Sequence, residues 1–296
     1  MKKFLITLLF FGCLFFIADK VLYLKMQSLP EREYDKRLES IILGKMNQEI
    51  LIFGSSRAQH NVYSDLIEEN LHLKTYNLGY RAASINFQLY LLKKVLLHNK
   101  APKKILLTLD DDREFFLETS LHFRYDKLYP LVGCQEITND LIKHKELSPF
   151  AVGFYSARIG WNQFTKPKLP TIYDIWTPKG TVLLDSDLPQ FDKIYFKSKK
   201  YDIKNELSER LYAFTEFQTI CKKKKIQLYL LIPPNFGEQN SVFITRIRQL
   251  VVAKETKLLY QKDTVFNNSN LFSDHAHLNK KGAIVYTKQI IQEIKL

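Results

Sequence analysis

Short apolar runs alternate with longer amphipathic segments between residues 48 and 110. The runs predict strands at Ile50–Phe53, Lys74–Tyr76 and Ile105–Leu109. The segments between them repeat apolar positions at helical spacing and predict helices at about Tyr63–Asn70 and Ser84–His98. Strands that alternate with helices at this spacing are typical of a parallel sheet that is covered by helices on both faces.

The same alternation returns after residue 204. It predicts a helix at Glu206–Cys221, a strand at Ile226–Ile232, a helix at Ser241–Ala253, a strand at Leu258–Tyr260 and a last helix after Asn279. The unbroken apolar run of the first of these strands is typical of a central parallel strand. Residues 48–296 are therefore predicted to form an α/β domain, with a flavodoxin-like three-layer α/β/α arrangement around a central parallel sheet.

Residues 111–204 interrupt this pattern. Aromatic residues and prolines are frequent there, and clear periodicity is lacking. We predict a mixed, aromatic-rich insertion that packs over the carboxyl edge of the sheet as a lid or a substrate groove. The alternative is that these aromatic side chains belong to the hydrophobic core.

The N-terminus begins with Met1-Lys2-Lys3, and an uncharged apolar run follows from Phe4 to Ala18. The apolar pattern continues beyond it, so we predict an uncleaved membrane anchor over residues 1–25 whose two lysines stay in the cytoplasm. Residues 26–47 are polar and charged and predict a stalk. A cleaved signal peptide, a lipid attached at Cys13 and a buried core helix are the alternatives.

The composition narrows the set of partners. The chain has 296 residues, a formal net charge of +13 and three cysteines. This charge favours contact with anionic surfaces, but nucleic-acid binding would need a cytoplasmic domain and a clustered basic face, and neither is evident. No spacing of cysteine or histidine suggests a zinc site, and we expect no cofactor.

The first strand ends at Gly54-Ser55-Ser56, directly before a helix-like segment. Glycine allows the tight turn there, and a helix that begins beside the serine directs N–H groups toward it. The same geometry suits an exposed nucleophile with an anion-stabilising pocket. The simpler interpretation is a serine that caps a helix.

A second pattern near the C-terminus supports the nucleophile. Asp274 and His277 stand three residues apart at the start of the last predicted helix. The carboxylate can hold one imidazole nitrogen while the other faces a serine, which is the arrangement that activates a serine for attack on an acyl carbon. Ser56, His277 and Asp274 are thus the candidate catalytic residues.

These motifs resemble those of the SGNH/GDSL hydrolase superfamily, in which a G-D-S-type block pairs with a C-terminal D-x-x-H. The resemblance implies that Ser56 is the nucleophile and that the turn Asn77-Leu78-Gly79 supplies the backbone N–H of Gly79 to the oxyanion hole, together with that of Ser56. Asp110-Asp111-Asp112 stands where the family has an asparagine donor, and Asn77 is a candidate replacement for it. Arg57 is a candidate contact for an anionic group of the substrate.

The serine at position 55 is similar to that of membrane-anchored members of the cell envelope, of the D-alanyl transfer and alginate O-acetylation types. The resemblance implies an extracytoplasmic serine esterase or O-acyl transferase that acts on an acylated envelope glycan or a related ester. The alternative is a catalytically inactive component that binds or assembles envelope polysaccharide, with assembly partners in the envelope.

Overall fold

The computed structural model describes residues 1–27, 36–110, 114–116, 120–131, 134–147, 154, 174–187, 201–260 and 264–295. The chain divides into two compact units. One comprises residues 1–40 and 124–170, and the other comprises residues 41–123 and 171–296. The predicted stalk at 26–47 and the predicted insertion at 111–204 lie partly outside the described residues.

In chain order the helices are α1 (Lys2–Gln27), α2 (Lys36–Ile42), α3 (Ser56–Asn61), α4 (Ser64–Leu71), α5 (Ile85–His98), α6 (Gln135–Lys143), α7 (Ser208–Lys223), α8 (Ser241–Leu250) and α9 (Lys280–Ile294). The strands are β1 (Ile50–Phe53), β2 (Thr75–Asn77), β3 (Lys104–Thr108), β4 (Asp174–Trp176), β5 (Val182–Leu184), β6 (Gln227–Ile232) and β7 (Lys257–Tyr260). Short 3-10 turns lie at Tyr125–Lys127, Tyr129–Leu131, Ile203–Asn205, Thr264–Asn267 and Ser269–Leu271.

Five of the described strands form one sheet in the order β2-β1-β3-β6-β7. Every neighbouring pair in it is parallel. This order is that of the flavodoxin-like arrangement, in which ligands bind beyond the carboxyl ends of the strands. The predicted α/β class is therefore confirmed. Strands β4 and β5 form a separate antiparallel pair.

Helices cover both faces of the sheet because its central strands are apolar on both sides. Ile50 and Ile52 of β1 belong to a buried cluster with Ala283 and Ile290 of α9. On the opposite face the ring of Phe53 meets Phe217 of α7 edge-on, with 5.5 Å between the ring centroids. Successive side chains of a strand point to opposite faces, so one short strand supplies both layers of the core.

The predicted element boundaries agree with the structure to within a few residues. The largest difference is the end of α8, which stops at Leu250 instead of Ala253. Gln218 of α7 explains it. Its Nε2 donates to the Leu250 carbonyl at 3.1 Å, and its Oε1 accepts the N–H of Val252 at 3.0 Å. The side chain of a neighbouring helix thus takes the bonds that would continue α8.

Two aromatic residues of the predicted insertion, Phe115 and Phe116, pack against aromatic residues of the second unit. Phe115 contacts Phe214 with centroids 5.4 Å apart, and Phe116 stacks on Tyr201 at 4.9 Å. The residues that would form most of the predicted lid, 155–173 and 188–200, lie outside the described residues.

In the first unit, an 18-residue stretch within Lys2–Lys25 of α1 has a mean hydropathy of 2.2, and the helix is long and apolar enough to cross a bilayer. A membrane anchor and a signal sequence both have this property. The C-terminal part of α1 has partners in its own unit, because the Tyr23 hydroxyl donates to the Pro130 carbonyl at 3.2 Å.

Gly54 joins β1 to the turn before α3 and has a φ of +142°, which side-chain-bearing residues rarely adopt. A Cβ here would lie 1.9 Å from Thr108 Oγ1 and 2.9 Å from the Cβ of Ala58. The turn thus depends on the absence of a side chain.

We expect Gly54→Ala to lower the free energy of unfolding by about 3 kcal/mol, because the added methyl overpacks a buried site and the backbone is strained. Urea denaturation of the full chain in detergent measures this loss. Gly54→Ala/Thr108→Ala should recover part of it by removing the hydroxyl that the methyl meets. A Gly54→Ala protein as stable as the wild type would contradict the prediction.

Candidate active site

Ser56, His277 and Asp274 form a continuous chain of hydrogen bonds at the carboxyl edge of the sheet. Ser56 is the first residue of α3, and its Oγ lies 2.8 Å from Nε2 of His277. Nδ1 of His277 lies 2.7 Å from Oδ2 of Asp274. A carboxylate only accepts, so Nδ1 carries the proton and Nε2 is left to accept from the serine hydroxyl. This is the arrangement required of a nucleophile, a general base and an orienting carboxylate.

The Asp274 carboxylate is held as an anion. Burial raises its pKa, but the hydrogen bond and charge of His277, with the N–H groups of Ala276 and His277, lower the pKa to about 2. Both N–H groups donate to Oδ1 at 2.8 Å. The D-x-x-H spacing therefore makes a tight turn in which Oδ1 binds the backbone and Oδ2 binds the ring.

Ser55 links the nucleophile turn to the end of β3. Its Oγ accepts the N–H of Arg57 at 3.1 Å as the cap of α3 and lies 2.6 Å from both carboxylate oxygens of Asp110. Ser55 and Asp110 differ from the residues that the resemblance to the SGNH/GDSL hydrolases would place at these positions. In the structure they bind each other, and Asp111 and Asp112 lie outside the described residues.

Behind Asp110 lies a second carboxyl group, that of Glu114, whose Oε2 accepts the N–H of Asp110 at 2.9 Å. Burial and the nearby charge of Asp110 raise the pKa of Glu114 to about 8. Glu114 is therefore mostly protonated at neutral pH. Within the described ranges, no group of three or more His, Cys, Asp and Glu side chains could hold a metal ion.

The side chain of Asn77, a predicted oxyanion donor, has internal hydrogen-bond partners in the structure. Its Nδ2 donates to the carbonyls of Ala58 and Val62 at 2.8 and 2.9 Å. Its Oδ1 accepts the N–H of Gly79 at 2.8 Å, so the second predicted donor also has an internal partner. Asn77 is fully buried. Its amide fastens the end of β2 to the region of α3, because it donates to the carbonyls of Ala58 and Val62 and accepts the N–H of Gly79.

Arg57 also has a different role from the one predicted. Its side chain is buried, and Nη2 donates to the carbonyls of Pro233 and Pro234, the latter at 3.1 Å. Arg57 thus ties α3 to the loop after β6.

Two residues near His277 were not predicted from the sequence. His60 lies one helical turn after Ser56, and its ring meets that of His277 edge-on with centroids 5.4 Å apart. Asn61 accepts the N–H of Leu278 at 2.9 Å and donates to the carbonyl of Ala276 at 3.2 Å. The i,i+4 spacing of Ser56 and His60 places both on one face of α3, and this spacing was the available signal.

No family model matches the chain, and no curated protein matches it. Among solved structures, the chain is similar to the psychrotrophic esterase EstA of Pseudoalteromonas sp., with 12% identity and a TM-score of 0.42 over 83% of this chain and 96% of that one. It is also similar to the acetyl xylan esterase AlAXEase, with 15% identity and a TM-score of 0.42 over 83% and 99% of the two chains. The chain is similar as well to a Desulfitobacterium hafniense protein described as lipolytic and of the G-D-S-L family. The identity is 12% and the TM-score is 0.40 over 83% of this chain and 99% of that one.

The raised pKa of Glu114 makes stability depend on pH. The unfolded chain releases the Glu114 proton near the ordinary pKa of 4.5, whereas the folded protein keeps it up to a pH of about 8. The stabilisation linked to this proton is therefore full below pH 4.5 and is lost as the pH rises to 8. We expect the wild type to lose stability relative to Glu114→Gln between pH 5 and pH 8.

Urea denaturation of both proteins at the two pH values measures this difference. Glu293→Gln, at an exposed position of α9, is the matched control and should keep the slope of the wild type. Parallel stability curves for the wild type and Glu114→Gln would show that Glu114 is ionised in the folded protein.

We expect Asn77→Ala to lower the free energy of unfolding by about 3 kcal/mol, because it removes three buried hydrogen bonds between this side chain and the backbone. Chemical denaturation tests this, with Asn70→Ala as a control, since Asn70 is exposed and bonds only within α4 in the described structure. Unchanged stability together with a large loss of turnover would restore the oxyanion role of Asn77.

Proposed function

We propose that this protein is a serine esterase in which Ser56 attacks the acyl carbon of an ester. The observation that carries the proposal is the chain of hydrogen bonds from Ser56 Oγ through His277 to Asp274, at 2.8 and 2.7 Å. The three residues lie far apart in the sequence, and their hydrogen bonds run in the direction that nucleophilic catalysis needs, from the serine hydroxyl to the imidazole and from the imidazole to the carboxylate. Both bond lengths are ordinary.

In the proposed reaction the Ser56 proton passes to His277 Nε2 as Oγ bonds to the acyl carbon. The leaving alcohol takes that proton when the ester bond breaks, and an acyl-serine remains. Water then attacks the acyl carbon, gives a proton to Nε2 and releases the acid, and the proton returns to Ser56. Asp274 stays ionised throughout and stabilises the imidazolium.

The developing oxyanion needs N–H donors near Ser56. The N–H of Ser56 lies in the first turn of α3, where backbone N–H groups have no acceptor within the helix, and we propose it as the main donor. Gly79 and Asn77 would contribute only after their mutual bond rearranges, so modest turnover is expected.

For the cellular setting, we propose that α1 anchors the chain in a membrane with the catalytic unit on the extracytoplasmic side. The length and apolarity of α1 support the anchor, and Lys2 and Lys3 before the apolar run support a cytoplasmic N-terminus. In this setting an acylated envelope glycan is the proposed substrate, and a sugar hydroxyl in place of water would make the enzyme an O-acyl transferase. The formal charge of +13 suits an acidic polymer.

A non-catalytic component for binding or assembling envelope polysaccharide is the second candidate. The observation that favours it is the use of the Asn77 amide and the Gly79 N–H in internal bonds. The intact geometry at Ser56 favours the enzyme over this candidate.

We expect a fluorophosphonate probe to label the wild-type protein once and Ser56→Ala not at all, because only an activated serine displaces its fluoride. Intact mass spectrometry reads the labelling. Ser241→Ala, at an exposed serine of α8, is the matched control and should label like the wild type. An unlabelled wild-type protein that is folded by circular dichroism would favour the non-catalytic component.

A further inference from the structure

His60 is a buried histidine beside the proposed base, and its surroundings determine its protonation. Its side chain is among the buried polar groups, with 2% of the residue exposed. Nδ1 lies 2.6 Å from the carbonyl oxygen of Val182 in β5. Nε2 accepts the Nε–H of Arg81 at 3.0 Å. The two nitrogens therefore have partners of opposite character.

These partners admit one neutral tautomer. A carbonyl oxygen only accepts, so Nδ1 carries a proton. An arginine side chain only donates and stays charged, so Nε2 carries none. Protonation of Nε2 would break the bond to Arg81 and would place a second cation beside the guanidinium. His60 is thus held as a neutral ring in one orientation.

The turn that carries Arg81 is itself constrained. Ala82, the next residue, has a φ of 57°, in the left-handed region that alanine rarely occupies. Its carbonyl accepts the N–H of His122 at 2.9 Å, and the carbonyl of His122 accepts the N–H of Ser84 at 3.0 Å. Strained backbone persists only where the surrounding structure holds it, and here it fixes the residue that binds His60.

We propose that His60, held neutral by Val182 and Arg81, is a positioning residue for the imidazole of His277. This inference rests on the proposed serine esterase function. Asp274 binds Nδ1 of His277 but leaves the ring free to pivot about that bond. The perpendicular ring of His60, at an interplanar angle of 89°, blocks the pivot and directs Nε2 toward Ser56.

The charge of His60 matters as much as its shape. His277 becomes a cation when it takes the proton of Ser56, and a neutral neighbour does not oppose this change, whereas an imidazolium would. Among the described residues, the groups that bond to the two rings include the Val182 carbonyl, the Arg81 guanidinium, the Asp274 carboxylate and the Ser56 hydroxyl. On α3 itself the nearby cation is Arg57, which is directed to the loop after β6.

The first test is the tautomer of His60 in the full chain in detergent, with ¹⁵N-labelled histidine and two-bond ¹H–¹⁵N correlation spectra. We expect Nδ1 protonated and Nε2 bare from pH 6 to pH 8. In Arg81→Met, which removes the donor, we expect Nε2 to take a proton as the pH falls through this range. A protonated Nε2 in the wild type would overturn the proposal.

The second test separates positioning from folding through the kinetics of aryl acetate hydrolysis. We expect His60→Gln to lower kcat at least about tenfold with KM within about twofold, because a misdirected base slows the chemical step and leaves binding unchanged. His98→Gln, at the end of α5, is the matched histidine control.

Arg81→Met should lose activity relative to the wild type as the pH falls from 8 to 6. Arg81→Gln keeps an N–H donor and should lose less. Because Arg81 is exposed, its variants keep the test valid even where His60→Gln does not fold.

The outcomes for the two proposals are distinct. A folded wild-type protein that neither hydrolyses esters nor takes the fluorophosphonate label would refute the esterase function itself. A wild type that is labelled at Ser56, with unchanged kcat and pH profile in the His60 and Arg81 variants, would refute only the positioning role. A rise in KM at constant kcat would also refute it.

Discussion

The hydrogen bond between Ser55 and Asp110 joins the ends of β1 and β3 at the point where the chain turns into α3. Ser55 accepts from the first turn of α3 and donates to Asp110, so one hydroxyl fixes both the start and the direction of this six-residue helix. A helix this short is unstable alone, and its position must come from its contacts. The carboxylate behind Ser55 is thus the constraint on which the geometry of Ser56 depends.

Three separate sets of hydrogen bonds hold α3 in place. Arg57 binds the loop after β6, Ala58 and Val62 receive the amide of Asn77, and Asn61 binds the backbone of the loop that carries His277. Because the same helix carries the proposed nucleophile and holds the loop of the proposed base, a small movement of α3 shifts both partners together. Such a movement would therefore change the distance between Ser56 and His277 less than it changes the position of either residue.

The sequence allowed prediction of features that depend on local pattern. The strands of the parallel sheet follow from short apolar runs, and the hydrogen bonds that join Asp274 to His277 lie within a single turn of the chain. The roles of Asn77 and Arg57 depend on partners that are distant along the chain, such as Pro234, which lies 177 residues from Arg57. A polar residue near a predicted site looks the same in the sequence whether it faces a substrate or a buried carbonyl.

His60 was missed for a related reason, since its helical spacing from Ser56 was visible but the position of Val182 was not. That strand belongs to a segment in which periodicity is weak.

The proposed nucleophile and its base lie 221 residues apart along the chain. Because the chain is synthesised from its N-terminus, Ser56 is made long before the loop that carries His277 and the helix α9 that follows it. Until α9 docks on the sheet, the serine is an ordinary alcohol that cannot attack an ester. Under the proposed function, ester cleavage would then begin only once this loop and α9 are in place, and a proteolytic cut ahead of α9 would abolish it.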